Sequence, residues 1–168
     1  MRSVATEACR FADNSGDFVT RVLSETGIAL DVISSNEEAR LAVMGCQTLF
    51  NPKIKKAVVF DIGGGSTELI AVEVMEDNSL KILATTSIPL GVVRLAEALS
   101  GDKVNPKDYQ DIVFTVRERL LAFDKELNLG DAFEKGEIQL LGASGTVTTL
   151  ASIQLGLNIY DRSKVDGC

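Results

Sequence analysis

DIGGGSTE, residues 61–68, stands between Val58-Val59-Phe60 and an apolar run that continues to Val74. β-Branched and apolar residues on both sides predict a short buried strand, a glycine turn, and a second strand over 67–74. Three consecutive glycines admit backbone conformations that a Cβ forbids, and they let main-chain N–H groups come close to an anion. Ser66 and Thr67 add hydroxyl donors, while Asp61 and Glu68 offer two carboxylates to a hydrated Mg²⁺ beside a bound phosphate. The alternative is a flexible hairpin whose acids serve solvation. The flanking Asp, Ser, Thr and Glu favour the phosphate reading. No Gly-Lys-[Ser/Thr] follows, which excludes a Walker A loop, and the strand after the turn excludes a dinucleotide fingerprint.

Downstream, Asp77-Asn78-Ser79 marks a turn and 81–88 a third strand, so three strands read as antiparallel. A short helix is expected from Val92 to Leu99, stopping at Gly101. A longer helix begins at an Asn105 cap with Pro106 in the first helical position. Its apolar stripe is Tyr109, Ile112, Val113, Val116, Leu120, Phe123 and Leu127, and Gly130 ends it. Ile138 to Leu141 is a further strand, running into Gly142-Ala143-Ser144-Gly145-Thr146 and a helix through Leu155. Such a turn at a helix N-terminus is an anion seat, and it is equally an ordinary N-cap by Ser144 or Thr146. Beside the first turn, binding is the better reading.

Upstream, a helix from Asp17 stops at Gly27, 28–33 reads as a strand, and a second helix runs from Glu37 to Phe50. Its stripe is Ala39, Val43, Cys46 and Phe50, and Asn51-Pro52-Lys53 closes it. Val4-Ala5-Thr6 is too short to assign as a strand. Alternating strands and helices make the chain α/β. Glu37 and Glu38 suit the dipole of a helix first turn, and one of them can instead face the phosphate turn and deprotonate a water. Arg10 and Arg94 are isolated cations near turns. A surface ion pair is the usual fate of each, and a bidentate phosphoryl clamp is the alternative.

Composition narrows the classes further. The 168 residues carry 17 Lys+Arg against 24 Asp+Glu, a net charge of −7, and no basic cluster is visible. Broad duplex-binding and anionic-membrane surfaces are therefore not expected. Histidine is absent, which excludes a Ser-His-Asp triad, histidine-ligated zinc and phosphohistidine chemistry within this chain. Cys9, Cys46 and Cys168 are odd in number and far apart, so free thiols in a reducing cytoplasm are the plain reading. No apolar run reaches the length of a membrane-spanning helix.

Taken together, VATEACRFADN (4–14), VISSNEEARL (32–41), VVFDIGGGSTELI (58–70), SIPLGVVRLAE (87–97) and LLGASGTVTTLA (140–151) closely resemble the exopolyphosphatase and guanosine pentaphosphate phosphatase family, in its order and spacing. The resemblance covers essentially the whole chain. It implies a ribonuclease-H-like (actin-like ATPase) fold, with a mixed sheet flanked by helices in each of two domains that face each other across a cleft. It divides the chain into 1–56, the C-terminal part of the first domain, and 57–168, most of the second. The family's opening Asp-x-Gly-Ser-Asn-Ser hairpin has no counterpart among these residues, so the first domain is expected to be incomplete.

The resemblance also implies a function: a bacterial, cytoplasmic, Mg²⁺-dependent hydrolase of the stringent response, dimeric in its full-length form. Its substrate is the terminal phosphoryl group of polyphosphate or guanosine pentaphosphate, attacked in line by water. Carried onto this sequence, Glu38 is the base, and Asp61 and Glu68 are metal or water ligands. Gly63, Gly64, Gly65, Ser66 and Thr67, with Gly145 and Thr146, form the phosphate-binding turns, and Arg10 contacts phosphate from the first domain. Arg94 receives no role. With half the clamp missing, little turnover is expected of the isolated chain. A nucleotide-binding or kinase-like module would need an adenosine pocket, and a non-catalytic interaction domain would leave the turns purely structural.

Overall fold

The computed structural model describes residues 2–99 and 104–167, so the expected helix stop at Gly101 and the thiol of Cys168 lie outside the described residues. Two sheets are present. In the smaller, β1 (Ser3–Ala5) pairs in parallel with β2 (Leu30–Val32), and α1 (Glu7–Phe11) and α2 (Ser15–Thr26) connect them. A three-residue strand has no pattern of its own to read. It becomes a strand because β2 supplies its hydrogen-bond partners. Gly27 stops α2 as expected, with a left-handed φ of 73°.

Helix α3 (Ser35–Gly45) begins at Ser34, whose side chain accepts the Glu37 amide, and Glu37 three residues on completes the sequence pattern of a capping box. It is shorter than the expected 37–50. At Cys46 the backbone leaves helical geometry, and a separate 3-10 turn covers Gln47–Leu49.

The larger sheet contains β3 (Lys56–Ile62), β4 (Thr67–Val74), β5 (Leu80–Ile88) and β6 (Ile138–Ala143), in the order β5-β4-β3-β6. The first three are antiparallel as read, and β6 joins β3 in parallel. Between β5 and β6 come α4 (Val92–Ala98), α5 (Pro106–Leu127) and α6 (Leu129–Glu134); α7 (Ser144–Gln154) and α8 (Arg162–Val165) follow. This is the α/β arrangement expected, a mixed sheet flanked by helices.

The pleat of β3 and β4 sorts their apolar residues onto two faces. Val59, Ile70 and Val72 pack under Ala39, Val43 and Cys46 of the α3 segment. Val58, Leu69 and Ala71 pack against Phe123 of α5 with Leu129 and Ala132 of α6. Ile70, Val59 and Val72 are fully buried, each worth about 1.5–3 kcal/mol of transfer free energy. Strands covered on both sides read as near-continuous apolar runs, which is why 57–60 and 69–72 were legible.

Two expectations about α5 are corrected. It ends at Leu127, because Asn128 adopts a left-handed φ of 50°; Gly130 lies inside α6, its amide donating to the Asp124 carboxylate at 2.7 Å. Of its predicted stripe, Phe123 is buried, Ile112, Val116 and Leu127 are half-buried, and Tyr109, Val113 and Leu120 are exposed, because the core closes fully over α5 at Phe123.

Candidate active site

Asp61 and Glu68 are opposite one another in the β3–β4 register, which sets both on the α3 face of the sheet. Glu68 is 4% exposed, and its Oε1 accepts the Ser66 hydroxyl at 2.6 Å and the Ser87 hydroxyl at 3.0 Å. Burial pushes the Glu68 carboxyl above its ordinary range, the two hydroxyls pull it back, and Glu38 and Asp61 add repulsion. Acids from α3, β3 and β4 thus share one electrostatic neighbourhood. Among the described residues no three His, Cys, Asp or Glu side chains form a closed metal-ligand set. The Asp61–Glu68 pair suits a cation such as Mg²⁺, which keeps most of its waters and takes one or two carboxylates.

The glycine turn is more constrained than a flexible hairpin. Gly63 donates its amide to the Ser66 carbonyl at 2.9 Å, so that amide closes the turn, whereas those of Gly64 and Gly65 have no partner among the described residues. None of these three glycines has a left-handed φ. What they permit is close approach. Carbonyls of Gly63 and Gly64 accept the Val92 and Val93 amides at 3.0 and 2.9 Å, and a Cβ on Gly91 would collide with both glycines. Ser66 donates to Glu68, and Thr67 donates to the Leu90 carbonyl at 2.7 Å, so both hydroxyls brace the turn from inside.

The second turn is moored to the first. Ser144 (φ 71°) and Thr146 each donate a hydroxyl to the Ile62 carbonyl at 2.9 Å, in place of the N-capping role open to them. A cavity of about 650 Å³ opens between the turns, lined by Ile62, Gly63, Gly64, Ser144, Gly145 and Thr146. A neighbouring cavity of about 690 Å³ is bordered by Asp61, Cys46 and Gly142, and Ser144 borders both. Cys46 beside it is buried, and that burial, with Asp61 near, pushes its thiol up, away from the reactive thiolate.

Of the paired acids on α3, Glu37 faces outward. Arg40 and Arg2 bond it and hold its carboxyl at about 2. Glu38 turns inward. Arg10 Nη1 lies 2.9 Å from Glu38 Oε2 but directs its hydrogen bond to the Ile33 carbonyl, also at 2.9 Å. The buried Oε2 is therefore ion-paired yet accepts no hydrogen bond from the described residues. Arg10, expected on phosphate, is here the partner of Glu38.

Two contributors escaped the sequence reading. Ser87 is opposite Glu68 in the β4–β5 register, a relation visible once three strands are aligned. Glu7 packs its carboxylate on Gly65 and pairs with Arg94 at 2.5 Å; with no strand or helix read around it, nothing local pointed there.

Residues 1–164 match the Ppx/GppA phosphatase family. A bifunctional 3-dehydroquinate synthase/phosphatase from Fusobacterium nucleatum subsp. nucleatum is 32% identical over 165 residues, covering 96% of this chain and 23% of that protein. The crystal structure of an exopolyphosphatase-like protein superposes with a TM-score of 0.76 at 30% identity, over 93% of this chain and 47% of that one. An exopolyphosphatase from Cytophaga hutchinsonii superposes with a TM-score of 0.73 at 25% identity, over 94% of this chain and 49% of that one. This chain thus spans less than half the length of each of these relatives. Motifs, sheet order and these likenesses agree along nearly all of its length: the chain belongs to the Ppx/GppA phosphatase family.

Proposed function

We propose that this chain supplies one phosphate clamp and the catalytic base of a hydrolase that removes the terminal phosphoryl group of polyphosphate, guanosine pentaphosphate being a substrate of the same chemistry. The observation that carries this reading is the single cavity of about 650 Å³ into which both glycine-bearing turns open. The amide of Gly64, unpartnered among the described residues, comes from one side. From the other come the first-turn amides of α7, which a helix leaves without internal partners and at the positive end of its dipole. Oriented N–H groups are what an anionic phosphoryl group needs, since phosphoryl transfer asks mainly for positioning and charge neutralisation.

Glu38 suits the base: Arg10 holds its Oε2, which accepts no hydrogen bond from the described residues, and the carboxylate would take the proton of the attacking water. Asp61 and Glu68 would hold Mg²⁺, which when bound neutralises charge on the transferring group. In this reading 1–56 and 57–168 belong to the two ribonuclease-H-like domains of a longer cytoplasmic, dimeric enzyme, and the facing domain completes the clamp.

Tripolyphosphate with Mg²⁺ is expected to raise the melting temperature of the 168-residue chain. At a hundred times Kd the gain is about 2.7 kcal/mol, or roughly 5–10 °C for a domain of this size. No shift at millimolar ligand sinks the binding reading. Phosphate release from polyphosphate is expected at trace level for the chain alone. Robust release that survives Glu38→Gln would remove Glu38 from the mechanism.

A further inference from the structure

Arg94 and Glu7 are not needed by the mechanism above, yet they meet at its glycine turn. Glu7 opens α1, its side chain is 14% exposed, and among the described residues its charged partner is Arg94, with Oε1 and Nη2 2.5 Å apart. The carboxylate lies so close over Gly65 that any Cβ there would collide with it. Gly65 has no left-handed φ, so the missing side chain serves this approach and not the turn's conformation.

A carboxylate seated on a glycine backbone, beside unpartnered amides and a guanidinium, occupies surroundings that equally fit a phosphate oxygen. The two partners differ in how they are held. Arg94 is tied to the turn: its own amide and that of Val93 donate to the Gly64 carbonyl at 3.3 and 2.9 Å. Among the described residues only Nη2 of its guanidinium has a partner, and the side chain is 43% exposed. Glu7 comes from the other sheet's connection and reaches the turn by its side chain alone, so it can leave without unmaking the turn.

We propose that Glu7 is an internal stand-in for phosphate: it covers Gly65 and holds Arg94 until an incoming phosphate chain displaces it, and Arg94 then binds that chain. The proposal rests on the phosphate-turn reading and adds a ligand and a gate to it.

The test is calorimetric titration of the 168-residue chain with tripolyphosphate at low salt, alongside Glu7→Gln, Arg94→Gln and the double variant, each checked for an intact thermal melt. Removing the carboxylate lifts a like-charge repulsion and frees the guanidinium, so Glu7→Gln is expected to tighten Kd at least threefold. That gain should shrink in 0.5 M salt. Arg94→Gln is expected to weaken Kd at least fivefold, and the double variant to bind more tightly than Arg94→Gln by less than the gain of Glu7→Gln over the parent, since only the relief of repulsion remains. Glu7→Asp, which keeps the charge but draws it back from Gly65, tightens binding by less and serves if Glu7→Gln melts early. Folded variants that bind as tightly as the parent overturn the gate and leave the phosphate turn standing. Absence of binding by parent and variants alike overturns the phosphate turn, and the gate with it.

Discussion

Glu68 and Glu37 are carboxylates whose surroundings push them in opposite directions. Burial, with Glu38 and Asp61 near, raises Glu68 above its ordinary range. A raised acid is most compatible with the fold when protonated, so its favourable contribution is complete below about pH 4.5 and is lost as pH rises through the folded value. Glu68→Gln keeps an acceptor for Ser66 and Ser87 without the charge. At pH 8 it is expected to melt a few degrees above the parent, with a flatter melting-temperature profile from pH 5 to 8; a lower melting point at pH 8 would contradict this. Arg40 and Arg2 lower Glu37 to about 2, so their contribution is present above 4.5 and lost as pH falls through about 2. Its carboxylate carbon, followed by NMR, should titrate near 2 and not near 4.5. Glu37 is held by Arg40 one helical turn on and by Arg2 just before β1, whereas the burial of Glu68 depends on strands and helices remote in the chain; the local pattern Asn36-Glu37-Glu38 does not say which acid turns inward.

At the scale of elements, α4 and the glycine turn are one unit, since Gly91 lies against Gly63 and Gly64 and the helix's first amides end on their carbonyls. Gly91→Ala forces the two backbones apart. Overpacking of this kind costs about 1–3 kcal/mol, and it should weaken tripolyphosphate binding as well as lower the melting point. If stability falls while affinity is unchanged, the unit does not shape the site. Ser34→Ala removes the hydroxyl that caps α3, at a cost of about 1 kcal/mol, read as a drop of roughly 2–4 °C. The β3–turn–β4 hairpin and α3 could be read in advance because strand and helix periods repeat over seven or more residues. The short elements β1 and α6 could not: β1 depends on β2 for its bonds, and α6 on the Asp124 side chain for the Gly130 amide.

For the molecule as a whole, the accessible surface is 11355 Å², against about 8000 Å² for a compact monomer of this mass. Much of the excess is apolar. Tyr109 and Phe114 on α5, and Leu150 and Ile153 on α7, are all more than half exposed, and β6 is an edge strand. The chain alone is therefore expected to bind a hydrophobic dye strongly and to elute above 18.0 kDa as concentration rises. Dye-silent, monomeric behaviour would mean that these faces close over in solution. At neutral pH the net charge of −7 opposes a polyanionic ligand, so phosphate affinity should rest on amides and cations close to the turns and should vary little between distant surface-charge variants.

From its order of residues alone, this chain determined its α/β class, its glycine turn and Asp61 and Glu68 as candidate acids, because short-range periodicity and steric freedom are local properties; Glu37 and Glu38 stayed alternatives, between which the family resemblance chose Glu38. Tertiary structure decided what each group faces. Strand register brought Asp61, Glu68 and Ser87 together, the packing of α3 turned Glu38 inward and left Glu37 outside, and a side chain from the other sheet's connection came to rest on Gly65. That same side chain, Glu7, bonds Arg94 87 positions away, and only the folded chain brings such residues within hydrogen-bond reach.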